Sequence, residues 1–152
     1  MSKSVSIRRA TGEDAGAIAS LAVELGYAAN ARVMRSRIRA VLASAADLLV
    51  VAVDTSGAVA GWLQAHASHI VESGFRVEIT GLIVSPAFRR RGIGRVLVAR
   101  VEDWAGTVLA EAVVVRSNVK RVESHSFYPA LGYTCTKTQL VYRKAPAPRN
   151  RW

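Results

Sequence analysis

The sequence predicts a mixed α/β fold, a central sheet with helices on both faces, in the order β-α-α-β-β-β-α-β-α-β-β. Apolar residues alternate at a period of two in several short stretches and recur at helical spacing in others. The two kinds of stretch interleave along the chain, with glycine, proline and Ser/Thr/Asn/Asp punctuation between them.

Val5 and Ile7 alternate with polar residues and read as a short first strand. Thr11 to Asp14 makes a helix start, with Thr11 as cap and acids in the first turn. Ile18, Leu21, Ala22 and Leu25 follow at helical spacing until Gly26. A second helix, about Ala31 to Ser44, carries Val33, Met34, Ile38, Val41 and Leu42 on one side. Leu48 to Val53 is a continuous apolar, β-branched run, the pattern of a buried strand. Asp54 to Gly57 is a turn, and Ala58 to His66 returns as its hairpin partner.

His69 to Gly74 reads as a loop, and Phe75 to Val84 as the next strand, stopped by Pro86. Ile93, Val96, Leu97, Val101 and Trp104 mark an amphipathic helix. Ala112 to Val115 is another buried strand, and the right-handed crossover rule sets it parallel to the strand from Phe75. Ser117 and Asn118 are placed to cap a helix containing Val119, Val122 and Phe127, closed by Pro129 and Gly132. Tyr133 to Arg143 reads as two last strand segments. Residues 1–144 form one domain on this reading, and the proline- and arginine-rich tail from Ala145 to Trp152 is expected to be mobile.

Composition bounds the function classes. With 51% apolar residues, 152 residues are enough for one domain with a real core. No stretch approaches the ~20 apolar residues of a membrane span, and Met1 to Ala10 has no run resembling a secretion signal. The lone cysteine, Cys135, excludes an internal disulfide and is expected to be packed, which makes the cytoplasm the simplest compartment. The net charge of +10 attracts anions, either a nucleic acid or a phosphorylated cofactor. Basic residues cluster at Arg32 to Arg39, Arg89 to Arg100 and Arg143 to Arg151. Only the middle cluster is interrupted by glycines, which suits a phosphate-binding loop. A basic nucleic-acid-binding module is the rival reading. It is disfavoured because aromatic and basic residues do not interleave as in an RNA-binding sheet, and no metal-ligand spacing is present.

The segment richest in chemistry runs from Leu82 to Arg95. A strand enters a loop, and the loop enters a helix whose first amides have no internal partners. Those amides and the helix dipole make an anion site, and Gly92 and Gly94 let a diphosphate approach the backbone. The segment is neither a Walker loop, since no Gly-Lys-Ser/Thr is present, nor a three-glycine dinucleotide fingerprint. Arg89-x-x-Gly92-x-Gly94 resembles the (Gln/Arg)-x-x-Gly-x-(Gly/Ala) signature of the GCN5-related N-acetyltransferase (GNAT) family. The context agrees: the strand Glu78-Ile79-Thr80-Gly81-Leu82-Ile83-Val84 precedes it, and Ser117-Asn118 and Phe127-Tyr128-x-x-Leu131-Gly132-Tyr133 follow.

The resemblance implies a mostly antiparallel GNAT-type sheet and an enzyme moving an acetyl group from acetyl-CoA to a primary amine by direct attack in a ternary complex. It implies that the amides from Arg90 to Arg95 (Arg90, Arg91, Gly92, Ile93, Gly94 and Arg95), flanked by Arg89, hold the cofactor's diphosphate. Ile83 and Val84 would pair with the pantetheine arm, the Val84 N–H polarising the thioester, and Asn118 would contact that arm. Tyr128 is implied as the acid for the departing thiolate and Glu78 as the base for the amine, with His66, His69 and His125 as rivals. A homodimer joined through Leu140-Val141-Tyr142 is a further expectation. The acceptor carries no signature. An aminoglycoside-type antibiotic is one alternative, with Glu24, Glu72 and Glu78 as an acidic rim, although the +10 charge opposes a polycationic acceptor. An acyl-CoA sensor without turnover is another.

Overall fold

The computed structural model of the chain describes residues 4–24, 26–28 and 30–149. Met1 to Lys3 of the N-terminal stretch, Leu25 of the first helical pattern, and Asn150, Arg151 and Trp152 of the tail lie outside them. The chain forms two units, residues 1–116 and 117–152.

The first unit contains β1 (Ser6–Arg9), a 3₁₀ turn (Gly12–Asp14), α1 (Ala15–Glu24), α2 (Ala31–Leu42), β2 (Asp47–Val53), β3 (Val59–Ile70), β4 (Gly74–Val84), a second 3₁₀ turn (Pro86–Phe88), α3 (Ile93–Thr107) and β5 (Ala112–Val115). The strands lie in sequence order in one sheet. All neighbours are antiparallel except β4 and β5, which are parallel as the crossover through α3 requires. β2 is apolar on both faces because both are covered. Leu49, Val51 and Val53 pack with Ala10, Ala15, Ile18 of α1 and Ile38 of α2. α3 contacts the strands through buried Ile93, Leu97, Val98, Val101 and Ala105. Each of the Leu, Ile and Val side chains contributes roughly 1.5–3 kcal/mol of burial. Val33, expected on the apolar side of α2, is exposed.

The hairpin between β3 and β4 is tighter than the sequence suggests. The expected loop from His69 to Gly74 shrinks to a turn over residues 71–73, and pairing runs on to Ile70 opposite Gly74. Stacking of His69 on Phe75, with ring centroids 4.5 Å apart, accompanies that extension.

Asp14 ties β1 to the start of α1. It is 6% exposed, and both its carboxylate oxygens accept from the Arg8 guanidinium at 2.8 Å. Asp14 Oδ2 also accepts from the Thr11 N–H at 2.7 Å. The Arg8 hydrogen bonds hold the Asp14 carboxyl below its ordinary range against the opposing effect of burial, with the Thr11 N–H assisting. Asp14→Asn is expected to cost about 1.5–3 kcal/mol at neutral pH, less any screening at the exposed Arg8 end. Because the folded-state pKa is the lower one, this stability is fully present above the unfolded value of about 4 and vanishes as pH falls through the folded value. Urea denaturation at neutral and acid pH should show the deficit shrink on acidification.

The second unit has one regular element among its described residues, α4 (Val122–Ala130), closed by Gly132 at φ +94°. The helix starts later than expected. Asn118 does not cap it; its side chain folds a turn by accepting from the Lys120 N–H at 2.9 Å, and its carbonyl accepts from the Arg121 N–H at 2.9 Å. The two strand segments expected from Tyr133 to Arg143 are not formed, and residues 134–149 carry no strand. A strand exists only when another backbone supplies its hydrogen bonds, and α4 offers none. Cys135, expected to be packed, is exposed for the same reason.

Candidate active site

β4 is longer than its parallel partner. β5 pairs with Arg76 to Ile79 and then ends, so no strand among the described residues of the first unit pairs with that side of residues 80–84. The β3–β4 register shifts between Gln64, opposite Gly81, and Ala65, opposite Ile79, which leaves Thr80 as an extra bulged residue. A Cβ on Gly81 would lie 2.9 Å from the tip of the Trp62 ring, so any side chain there would displace the indole. Ile83 is buried at the strand's end and Val84 is half-buried.

The chain then passes Pro86–Phe88 and reaches the arginine loop. Arg89 is extended, Arg90 takes φ +62°, and Gly92 takes φ +74° as the residue before α3. A left-handed arginine costs about 1–2 kcal/mol, and strain of this kind gathers at ligand sites. Arg91 lies over the Phe88 ring, 5.4 Å from its centroid. Gly92 gives α3 no side-chain cap, so the amides of Ile93, Gly94 and Arg95 remain uncommitted while the Val96 N–H bonds the Gly92 carbonyl at 3.1 Å. No acidic residue lies in the first turn. Arginines around the positive end of a helix dipole repel it by about 0.3–1 kcal/mol each, and a bound polyanion would reverse the sign of that term. Ile93 buries its side chain in the core, so only its backbone is available to a ligand.

Glu78 lies on β4 opposite His66 of β3 and beside Val114 of β5. Its side chain is 20% exposed, and Oε1 is 3.3 Å from Nε of Arg116. Arg116 gives Glu78 a charged neighbour on an otherwise mostly apolar strand. His66 Nδ1 is in turn 3.0 Å from Asp47 Oδ1 on β2. Arg116 and Asp47 were not singled out from the sequence. The available signal for Arg116 was register: it follows Val114 by two residues and so shares the face of Glu78.

Tyr128 and Asn118 belong to the second unit. The Tyr128 ring meets Phe127 and Tyr133 edge-on, with centroids 4.9 and 5.8 Å away. Burial pushes its phenol above the ordinary tyrosine range, with Arg121 acting weakly in the opposite direction. A proton donor at neutral pH needs that protonated form. His125 Nε2 is 3.2 Å from the Asn118 carbonyl, a local structural bond within the unit.

Residues 21–133 match the sequence model of the acetyltransferase (GNAT) family. The chain belongs to that family. It is an acetyl-CoA-dependent N-acetyltransferase. The acetyltransferase is 28% identical over 144 residues to aminoglycoside N(6′)-acetyltransferase type 1 of Stenotrophomonas maltophilia, covering 92% of each chain. Its fold superimposes on the aminoglycoside antibiotic 6′-N-acetyltransferase AAC(6′)-Ih of Acinetobacter baumannii with a TM-score of 0.83 at 21% identity, over 95% of this chain and all of that one. A third similar fold is aminoglycoside N-acetyltransferase AAC(6′)-Iy in complex with CoA, with a TM-score of 0.83, 21% identity and coverage of 93% and 95%. At these identities the structural likeness speaks to the fold. No helix among the described residues is long and apolar enough to cross a membrane.

Proposed function

We propose that residues 1–144 form one catalytic domain that acetylates a small primary amine in the cytoplasm, by direct attack on acetyl-CoA in a ternary complex. The observation carrying this reading is that the open edge of β4 at residues 80–84 leads into the uncommitted N-terminus of α3. Pantetheine pairs with the edge at Ile83 and Val84. The diphosphate sits on the amides of Arg90 to Arg95, with Arg89 beside it, and Asn118 contacts the arm. Glu78 is the base and Tyr128 the acid.

Strand geometry refines one step. At about 3.3 Å per residue, Val84 stands about 20 Å along β4 from Glu78, too far for both to serve one acetyl carbon. The thioester carbonyl is better placed at the bulged stretch around Gly81 and Leu82, roughly 10 Å from Glu78. Trp62, opposite Ile83, has a buried indole N–H with no hydrogen-bond partner among the described residues.

Acetyl-CoA at a hundred times its Kd stabilises a native protein by about 2.7 kcal/mol, which for this size raises Tm by roughly 5–10 °C. Gly92→Val should abolish the rise, since a β-branched residue cannot hold φ +74°. A full shift in the variant would overturn the loop assignment.

An aminoglycoside acceptor is the second reading, favoured by the similarity to the S. maltophilia enzyme across 92% of both chains. The +10 charge favours a neutral or anionic amine instead. Thiol release from acetyl-CoA with kanamycin, 2-aminoethylphosphonate, spermidine and a lysine peptide as acceptors decides between them. We also propose that the enzyme is a homodimer. Leu140, Val141 and Tyr142 are 79%, 86% and 87% exposed, an apolar run that a second copy would cover. A monomeric mass by light scattering would remove that proposal.

A further inference from the structure

Acetylating a protonated amine by acetyl-CoA yields the amide, the free thiol and one proton. One of the amine's protons ends on the departing sulfur, and one must leave the site at each turnover. A base that keeps it is spent.

Three side chains form a row across the sheet at Glu78. Asp47, His66 and Glu78 are successive register partners on β2, β3 and β4, so they share the face that carries Val51 and Trp62. The Asp47 carboxylate only accepts, so its 3.0 Å contact makes His66 Nδ1 the donor. The neutral imidazole is thereby held as the tautomer whose Nε2 is a bare base, turned away from Asp47. Cross-strand partners have Cβ atoms about 4.5–5.5 Å apart, within reach of a direct or single-water transfer. Arg116 flanks Glu78 from the β5 side, its Nε 3.3 Å from Oε1. Asp47, whose side chain is 14% exposed, fixes the orientation of the His66 ring, and the His66 side chain, 44% exposed, opens to water. The charged groups around His66 on the neighbouring strands are Asp47 on β2 and Glu78 and Arg76 on β4, with Arg116 beyond Glu78.

We propose that His66, positioned by Asp47, is the proton exit for the acetyltransferase reaction. The inference rests on Glu78 as base. Glu78 takes a proton from the ammonium, His66 Nε2 takes it from Glu78, and the imidazolium releases it to solvent; no bond other than N–H and O–H changes.

The test uses the full chain, acetyl-CoA and the fastest amine of the panel above. His66→Gln is expected to lower kcat about tenfold near neutral pH, leave the KM for acetyl-CoA unchanged, and recover rate when free imidazole is added. Wild-type kcat in His66→Gln, or a loss that imidazole does not restore, would overturn the relay. Should His66→Gln not fold, Asp47→Ala carries the test: without the acceptor at Nδ1 the ring is no longer held with Nε2 bare, so kcat should fall at unchanged KM for acetyl-CoA and recover with free imidazole, and wild-type kcat or a loss that imidazole does not restore overturns the proposal. Glu78→Gln separates the two readings. A loss there with wild-type His66→Gln removes the relay and keeps the base, whereas full rate in Glu78→Gln removes the base and the relay with it.

Discussion

Tyr128→Phe is expected to lower turnover by about 10²–10⁴ while leaving acetyl-CoA affinity nearly unchanged. The departing thiolate of CoA needs a proton, and a phenol that burial keeps protonated can supply it. Phenylalanine preserves the ring that meets Phe127 and Tyr133 edge-on, so folding and the acetyl-CoA thermal shift should survive. The sign of the pH dependence is set by the raised phenol. Activity that needs the protonated form should persist to pH values above the ordinary tyrosine value of about 10, and the Phe variant should lack that alkaline limb. Steady-state kinetics with acetyl-CoA varied at saturating amine make the measurement. Full rate in the variant would reduce Tyr128 to a packing residue.

Glu78→Gln is expected to cost on the order of 10²-fold in kcat near neutral pH. Glutamine keeps an oxygen for Arg116 but cannot take a proton. The deficit should shrink as pH rises, because an alkyl amine with a pKa near about 10 is increasingly free without help. Rates across that range, for variant and wild type on the same amine, make the comparison. A deficit that stays constant with pH would assign Glu78 to acceptor binding, or the base to another group, with His69 and His125 next to substitute.

How much of this was legible in the chain depends on how local each feature is. The entry from the arginine loop into α3 was, because its signals lie within the six residues Arg89 to Gly94: a helix start, two glycines and three arginines. The parallel pairing of β5 with β4 also was, because the crossover has one favoured hand. The last two strands were misread because Leu140, Val141 and Tyr142 have strand character that no neighbouring backbone in the second unit completes. The helix cap expected at Asn118 was not formed, since the same side chain that can cap a helix also closes a tight turn with Lys120.

By itself the sequence determined the element order through β5, the apolar faces that bury α1, α2 and α3, and the glycine-bearing entry to α3, all properties of residues a few positions apart. Only the tertiary structure decided the company of Glu78. Asp47, His66, Glu78 and Arg116 come from four separate stretches of chain and meet through strand register, and a slip of one residue would send any of them to the opposite face of the sheet. The open edge at residues 80–84 has the same origin, because it exists only where β4 outruns β5. Hydrophobic periodicity reports which face a residue takes, but the partner it meets there is set by the pairing of strands far apart in sequence.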